Sequence, residues 1–283
     1  MRLARLAVPA LVLAATITAA FAAGPAPSLQ VTEMGTGGAT MVLVHGLGGS
    51  RTDWLPLFKR LKDRYRLVMV ELPGHGTSPL PDPFSLEAAA AQLDSVIALQ
   101  KPESTIVVGQ GLGGMLALKA LAAHPGQARG LVLMDAALKS PIPVDDQQVQ
   151  QLVRFMNDNY TTFTQMAFSK MGRDSAESAI LYAKLAAVEP ATVKAYMRNL
   201  LRADANRELK SVGLPIELIF SERTWKQGEP WGEVAKRFGY EDTTIAVPRR
   251  VGGSGMQIAR DQPDTLAAIL SAYGAARLGA AKK

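Results

Sequence analysis

The chain has 283 residues, no cysteine and three histidines, and 31 lysines and arginines stand against 25 aspartates and glutamates for a formal net charge of +6. That length makes one large domain or two small ones, and 48% hydrophobic with 20% charged residues excludes a disordered or coiled-coil chain. Without cysteine there is no disulfide framework, zinc ribbon, iron–sulfur cluster or thiol nucleophile; His45, His75 and His124, far apart in sequence, leave little for a histidine-built metal site.

The first 22 residues read as a signal peptide. Arg2 and Arg5 precede an apolar run, Leu6–Ala19, broken by Pro9, and Ala20-Phe21-Ala22 supplies a small-x-small cleavage pattern before the Gly/Pro-rich stretch Gly24–Pro27. The run to Ala23 is also long enough for a membrane anchor, but its alanine richness and its proline favour removal. A periplasmic or secreted protein follows, touching a membrane only through the signal peptide before cleavage. Loss of Arg2 and Arg5 lowers the formal charge from +6 to +4, and an excess so small and so spread out predicts no nucleic-acid partner.

From Leu29 strands and helices alternate, which predicts an α/β fold with a mostly parallel sheet covered by helices on both faces. Leu29–Met34 reads as an edge strand, turned by Gly35-Thr36-Gly37-Gly38. Met41–Val44 and Arg66–Val70 are short apolar runs of the kind found in buried central strands, with a helix around Trp54–Leu61 between them. Ser85 caps an alanine-rich helix running to about Gln100. Thr105–Val108 and Gly130–Met134 are further buried strands, separated by a helix at Gly113–Ala123.

The period then changes. Between Val144 and about Arg207 apolar residues recur only at helical spacing, as at Val149, Leu152, Val153 and Met156, and again at Val193, Tyr196, Met197 and Leu200 behind Pro190. Strand patterns return at Pro215–Phe220 and Thr243–Val247, and a last helix covers Pro263–Ala276. The expected division is a signal peptide at 1–22, an α/β core at 23–143, a helical insert at 144–207 and the remaining core at 208–283. A long insert at a strand exit is expected to lie over the ligand site.

The strand exits carry motifs. His45-Gly46-Leu47-Gly48-Gly49 follows the first buried strand, and Glu71-Leu72-Pro73-Gly74-His75-Gly76-Thr77-Ser78 follows the second. Val107-Val108-Gly109-Gln110-Gly111-Leu112-Gly113-Gly114 joins a strand directly to a helix, and Leu131-Val132-Leu133-Met134-Asp135-Ala136 precedes the helical block. In this order and spacing they resemble the α/β-hydrolase superfamily over about 250 residues. The resemblance implies that family's fold, with 144–207 as its helical cap between strands six and seven, and ester hydrolysis without a cofactor.

The same resemblance marks what is missing. The family places its nucleophile at the tip of Gly-x-Ser-x-Gly; here Gly109 and Gly113 keep the flanks and the tip is Gly111, which has no nucleophilic atom. Its histidine lies seven residues before a proline in a loop after the last strand, a pattern matched by Ser254–Pro263 with Met256 in the histidine's place. Its acid falls at Thr224, with Glu222 nearby and Asp135 as alternatives. The histidines offer no replacement: His45 belongs to the HG loop, His75 to the PGHG turn, and His124 ends a helix.

The oxyanion hole, made of backbone N–H groups, is not lost with the triad. The resemblance places it beside Gly46, at Leu47 and Leu112. Met115, Met256 and the cap residues Phe155, Met156, Phe163 and Met166 suggest an apolar pocket around those donors, although each also fits ordinary core. Glycine at the tip relieves strain on the order of 1–3 kcal/mol, and Met256 removes a polar group from a dry pocket. Three functions are compatible: a non-catalytic protein binding a small apolar carbonyl or carboxylate ligand or a partner; a weak hydrolase using Ser254, Thr224, Glu222, Asp135, His45 or His75 with the remaining oxyanion hole; and a structural or interaction module docking through its Met-rich cap or through the Trp225/Trp231 segment.

Overall fold

The computed structural model describes residues 29–140, 145–241 and 246–279, so the expected signal peptide and Gly24–Pro27 lie outside the described residues. Within them, β1 (Val31–Met34), β2 (Ala39–Val44), β3 (Tyr65–Val70), β4 (Thr105–Gln110), β5 (Gly130–Met134), β6 (Ile216–Ser221) and β7 (Ala246–Val251) form one sheet in the order β1-β3-β2-β4-β5-β6-β7. Only the edge pair β1–β3 is antiparallel.

Period-two alternation along the central strands divides their side chains between two cores. Val42, Val44, Val107, Leu131, Leu133, Leu218 and Phe220 enter one; Met41, Leu43, Ile106, Val108, Val132, Met134 and Ile219 enter the other. Helices α2 (Leu86–Ile97) and α3 (Leu112–Ala123) cover the first face. The second is covered by α1 (Leu55–Leu61), which continues a 3-10 turn over Arg51–Trp54, and by the C-terminal helices at Ile258–Asp261 and Pro263–Leu278. Ser85 caps α2 as expected, its hydroxyl accepting the Ala88 N–H at 2.9 Å.

The helical block comprises α4 (Asp146–Asp158), α5 (Tyr160–Phe168), α6 (Ser175–Ala186), α7 (Pro190–Leu200) and α8 (Asn206–Ser211). Counted along this chain's own strands, it stands between the fifth and sixth of seven, one lower than the count the resemblance implies. Its base is pinned where the chain leaves and returns. The Ser140 N–H donates to Ala203 O at 3.1 Å, and the Ala205 N–H donates to Leu138 O at 2.7 Å.

Two elements differ from the sequence reading. The last strand runs over Ala246–Val251 rather than Thr243–Val247, whose residues 243–245 lie outside the described residues. Pro248, Arg249 and Arg250 conceal it, yet an edge strand with one unpaired side tolerates proline and charge. The second is an unforeseen helix, α9 (Trp231–Phe238), followed by Gly239 at φ +85°. Its Trp231 and Phe238 stack on Phe220 at centroid distances of 5.5 and 5.1 Å, and Trp225 packs on Trp231 at 5.2 Å. The two tryptophans suggested as a docking segment are half-buried in that cluster.

Candidate active site

The turn between β4 and α3 is a complete strand-to-helix elbow. Gly111 stands at its tip with φ +52° and ψ −120°, in the region where L side chains are strained. The flanking glycines are required by close backbone approach. A Cβ on Gly113 would lie 2.3 Å from His45 O and 2.6 Å from Val44 O, and one on Gly109 would lie 2.5 Å from the Gly114 Cα. Gly113→Ala is therefore expected to lower stability on the order of 1–3 kcal/mol, read as a shifted denaturant midpoint at unchanged slope. At the tip there is room: the nearest atom to a Cβ on Gly111 is the Gly46 Cα at 4.0 Å.

That contact brings the HG loop against the elbow. Among the described residues, neither the Leu47 N–H nor the Leu112 N–H donates to a protein acceptor. Leu112 opens α3, where no intrahelical acceptor exists and the helix dipole favours negative charge. N–H groups left open at a helix start take an acceptor from outside the chain, either solvent or ligand.

His45 and His75 hold the loops that aim these donors. The Gly48 N–H donates to His75 Nε2 at 3.1 Å, and His75 Nδ1 lies 3.2 Å from Pro73 O. Burial, aided by the neighbouring His45, brings the His75 pKa down to about 4, so the ring is neutral and its Nε2 free to accept. His45 Nε2 lies 3.0 Å from the Leu72 nitrogen, and its Nδ1 lies 2.8 Å from Gly46 O. Glu71 lies 3.2 Å from His45 Nε2 and 3.2 Å from Arg51 Nε. Burial pushes the Glu71 carboxyl up, but the His45 and Arg51 contacts outweigh it and hold it below the usual range. His124 is far from this machinery, paired with Asp94 at 2.8 Å.

The residues expected at the remaining triad positions follow the ends of β5, β6 and β7. Gln110, just before the tip, donates from Nε2 to Met256 O and so ties the final loop to the elbow. Its place in the motif gave no sign of this role. Two of the acid candidates meet: Thr224 Oγ1 donates to Asp135 Oδ1, which also accepts the Ser221 N–H at 2.9 Å. The buried Asp135 Oδ2 has no partner among the described residues, and desolvation raises the carboxyl to about 6 against the stabilising bonds from Thr224 and Ser221. Asp135 also adopts φ +43°, a strained value for a residue other than glycine. Glu222 turns away, 3.4 Å from Arg250 and accepting the Gly253 N–H, while Ser254 Oγ donates to Val251 O at 2.8 Å.

The cap covers the donors with residues other than those expected. Phe155 and Met166 point outward, 40% and 69% exposed, so they do not line the donor site. Met156 and Met115 are buried, and Phe163 is half-buried with its ring 6.4 Å from Phe155. The cap instead reaches the core through Leu185, Phe168 and Val193, which pack against Leu47, and through Tyr196 Oη, which donates to Pro73 O at 3.0 Å. Outward and inward positions of a short amphipathic helix differ by one residue, and composition alone does not choose between them.

A family model described as "Alpha/beta hydrolase family" matches residues 41–269. The chain belongs to the α/β-hydrolase family. The pimeloyl-[acyl-carrier protein] methyl ester esterase of Neisseria meningitidis serogroup C is 29% identical over 189 residues, 63% of this chain and 72% of that esterase. The biotin biosynthesis bifunctional protein BioHC of Cellvibrio japonicus is 36% identical over 96 residues, 34% of this chain and 18% of that protein. Several matches span well under two thirds of the relative, as with 36% of the Edwardsiella ictaluri esterase. Among solved α/β-hydrolase structures, a hydrolase from Oleispira antarctica superposes with a TM-score of 0.73 at 15% identity, covering 88% of this chain and 95% of that one. An esterase from Exiguobacterium antarcticum gives 0.72 at 18%, covering 87% and 95%. At those identities the likeness is one of fold.

Proposed function

We infer that this α/β-hydrolase is an exported, non-catalytic member of its family that binds a small apolar acid or ester-like molecule, its carbonyl or carboxylate accepting from Leu47 and Leu112. The observation that carries the reading is the elbow itself: its backbone geometry is intact while its tip, Gly111, holds no atom that can attack. Met256 reinforces it, since a thioether takes no proton from a nucleophile. The esterase names of the relatives support an ester or acid as the molecule bound, by analogy of family alone.

The second reading is a weak hydrolase. Asp135 favours it, as a carboxyl with a pKa near 6 joined to the Thr224 hydroxyl. Against it, Asp135 is wholly buried behind Thr224, and oxyanion donors without a nucleophile give only residual rates. A fluorophosphonate probe and p-nitrophenyl butyrate separate the two. The expected result is no labelling and no turnover above a heat-inactivated control; saturable turnover abolished by Thr224→Val would establish the weak hydrolase instead.

A further inference from the structure

A cleft of about 420 Å³, within the size range of small-ligand sites, has Thr224 and Met256 in its lining. Its charge is one-sided. Lys170, Arg223, Lys226 and Arg237 line it against one carboxylate, Glu229. That excess of three positive charges stands in a chain whose formal total is +6.

The single carboxylate is already engaged. Glu229 receives Arg237 at 2.6 and 3.3 Å and the Lys226 N–H at 3.1 Å, and these contacts, the Arg237 bonds foremost, hold it ionised well below its usual range. Arg237 also donates to Thr224 O at 2.6 Å, and Arg223 Nε donates to Lys170 O. The two lysines differ. Among the described residues neither ammonium makes an ion pair or hydrogen bond; Lys226 reaches Glu229 only through its field.

The apolar part of its wall is formed by Met171, Phe238 and Met256 with Ala137 and Ala167. Met171 and Met256 are fixed to one another, the Met256 N–H donating to Met171 O at 3.2 Å, so this wall is built jointly by the cap and the final core loop. Replacing a histidine by methionine at 256 thus does more than remove a base: it completes an unbranched, polarisable surface beside two uncompensated ammonium groups.

We propose that this cleft is a binding site for a monocarboxylate with a short alkyl arm, its head paired with Lys170 and Lys226 and its arm lying on Met171, Met256 and Phe238. The cleft shares Thr224 and Met256 with the candidate active site, but neither Leu47 nor Leu112 lines it, and the proposal needs neither donor. Charge-assisted bonds to two ammonium groups supply the head-group recognition, and the methionine wall selects an alkyl arm over a bare anion.

The test uses the full chain and three probes: sodium hexanoate, its uncharged twin methyl hexanoate, and inorganic phosphate. Methyl-labelled methionine spectra locate binding, and calorimetry gives its strength. Hexanoate is expected to shift the Met171 and Met256 methyl signals saturably, and Lys170→Gln with Lys226→Gln to weaken it about tenfold or more. Both lysines are exposed, so the variant retains its fold. Phosphate is expected to bind more weakly than hexanoate, and methyl hexanoate to leave the Met171 signal in place, whereas Met256 borders both sites and reports either. Unchanged hexanoate affinity in the double variant, or phosphate binding as tightly as hexanoate, overturns the cleft. Methyl hexanoate binding that ignores the lysines reports the donor site separately, so one reading can fail without the other.

Discussion

Gly111→Ser combined with Met256→His is expected to raise p-nitrophenyl butyrate hydrolysis by about a hundredfold or more over Gly111→Ser alone, the usual range for a positioned general base. The structure provides most of what these two side chains need. A seryl Cβ has open space at the tip, with the Gly46 Cα 4.0 Å away. The Leu47 and Leu112 N–H groups, the proposed oxyanion donors, have no protein acceptor to displace among the described residues. Gln110 already ties the backbone of residue 256 to the elbow, so a histidine there starts close to the serine. Serine alone lacks a base, and it also takes on the strain of φ +52°, on the order of 1–3 kcal/mol. The measurement is kcat/KM for both variants together with fluorophosphonate labelling. Equal activity would show that Met256 is not in the histidine's place, and would move the search for the base to another loop.

The second large effect concerns Asp135. Its carboxyl has a pKa of about 6 in the folded protein against an ordinary 3.8, because burial outweighs the bonds from Thr224 and Ser221. A raised acid destabilises the fold when ionised in both states, that is, above pH 6. Below pH 3.8 the group is neutral in both and the penalty is absent. Two pKa units and a fraction correspond to about 3 kcal/mol, so Asp135→Asn is expected to gain on the order of 2–3 kcal/mol at pH 8. The gain should shrink as pH falls from 6 towards 4 and vanish below that. Asparagine suits the position otherwise, since it tolerates φ +43° and its oxygen can accept from Ser221 and Thr224. Denaturant midpoints at pH 4, 6 and 8 decide it; a pH-independent difference would mean that packing rather than charge sets the cost.

The elements that carry their own local signal were legible in the sequence. Met41–Val44, Gly130–Met134 and the Ser85 cap needed only apolar runs and a hydroxyl in the right place, and the structure has them there. The strand-to-helix turn was legible because Gly109 and Gly113 are demanded by backbone approach, which leaves Gly111 at the tip between them. What failed was decided by tertiary context. Edge placement permits β7 its Pro248, Arg249 and Arg250. The orientation of Phe155 and Met166 depends on which face of α4 and α5 meets the core, and no residue within either helix states it. The Asp135–Thr224 bond joins residues on different strand exits, so the two acid candidates could be named from sequence but not known to touch.

Neighbouring strands β5 and β6 are joined through residues 135–215, nearly a third of the chain. Because β6 follows the helical excursion in the chain, β5 lacks that neighbour until the whole excursion has been synthesised. Closing so long a loop carries an entropic toll that the excursion reduces by coiling into helices and by joining its ends at Ser140 and Ala203. Long-range parallel pairing is slow for this reason, and the open edge of β5, lined by Leu131, Val132, Leu133 and Met134, is the surface most exposed to mispairing in the interval. The helices that pack over Leu47 beside the β4–α3 turn are thus also the clasp on which completion of the sheet waits.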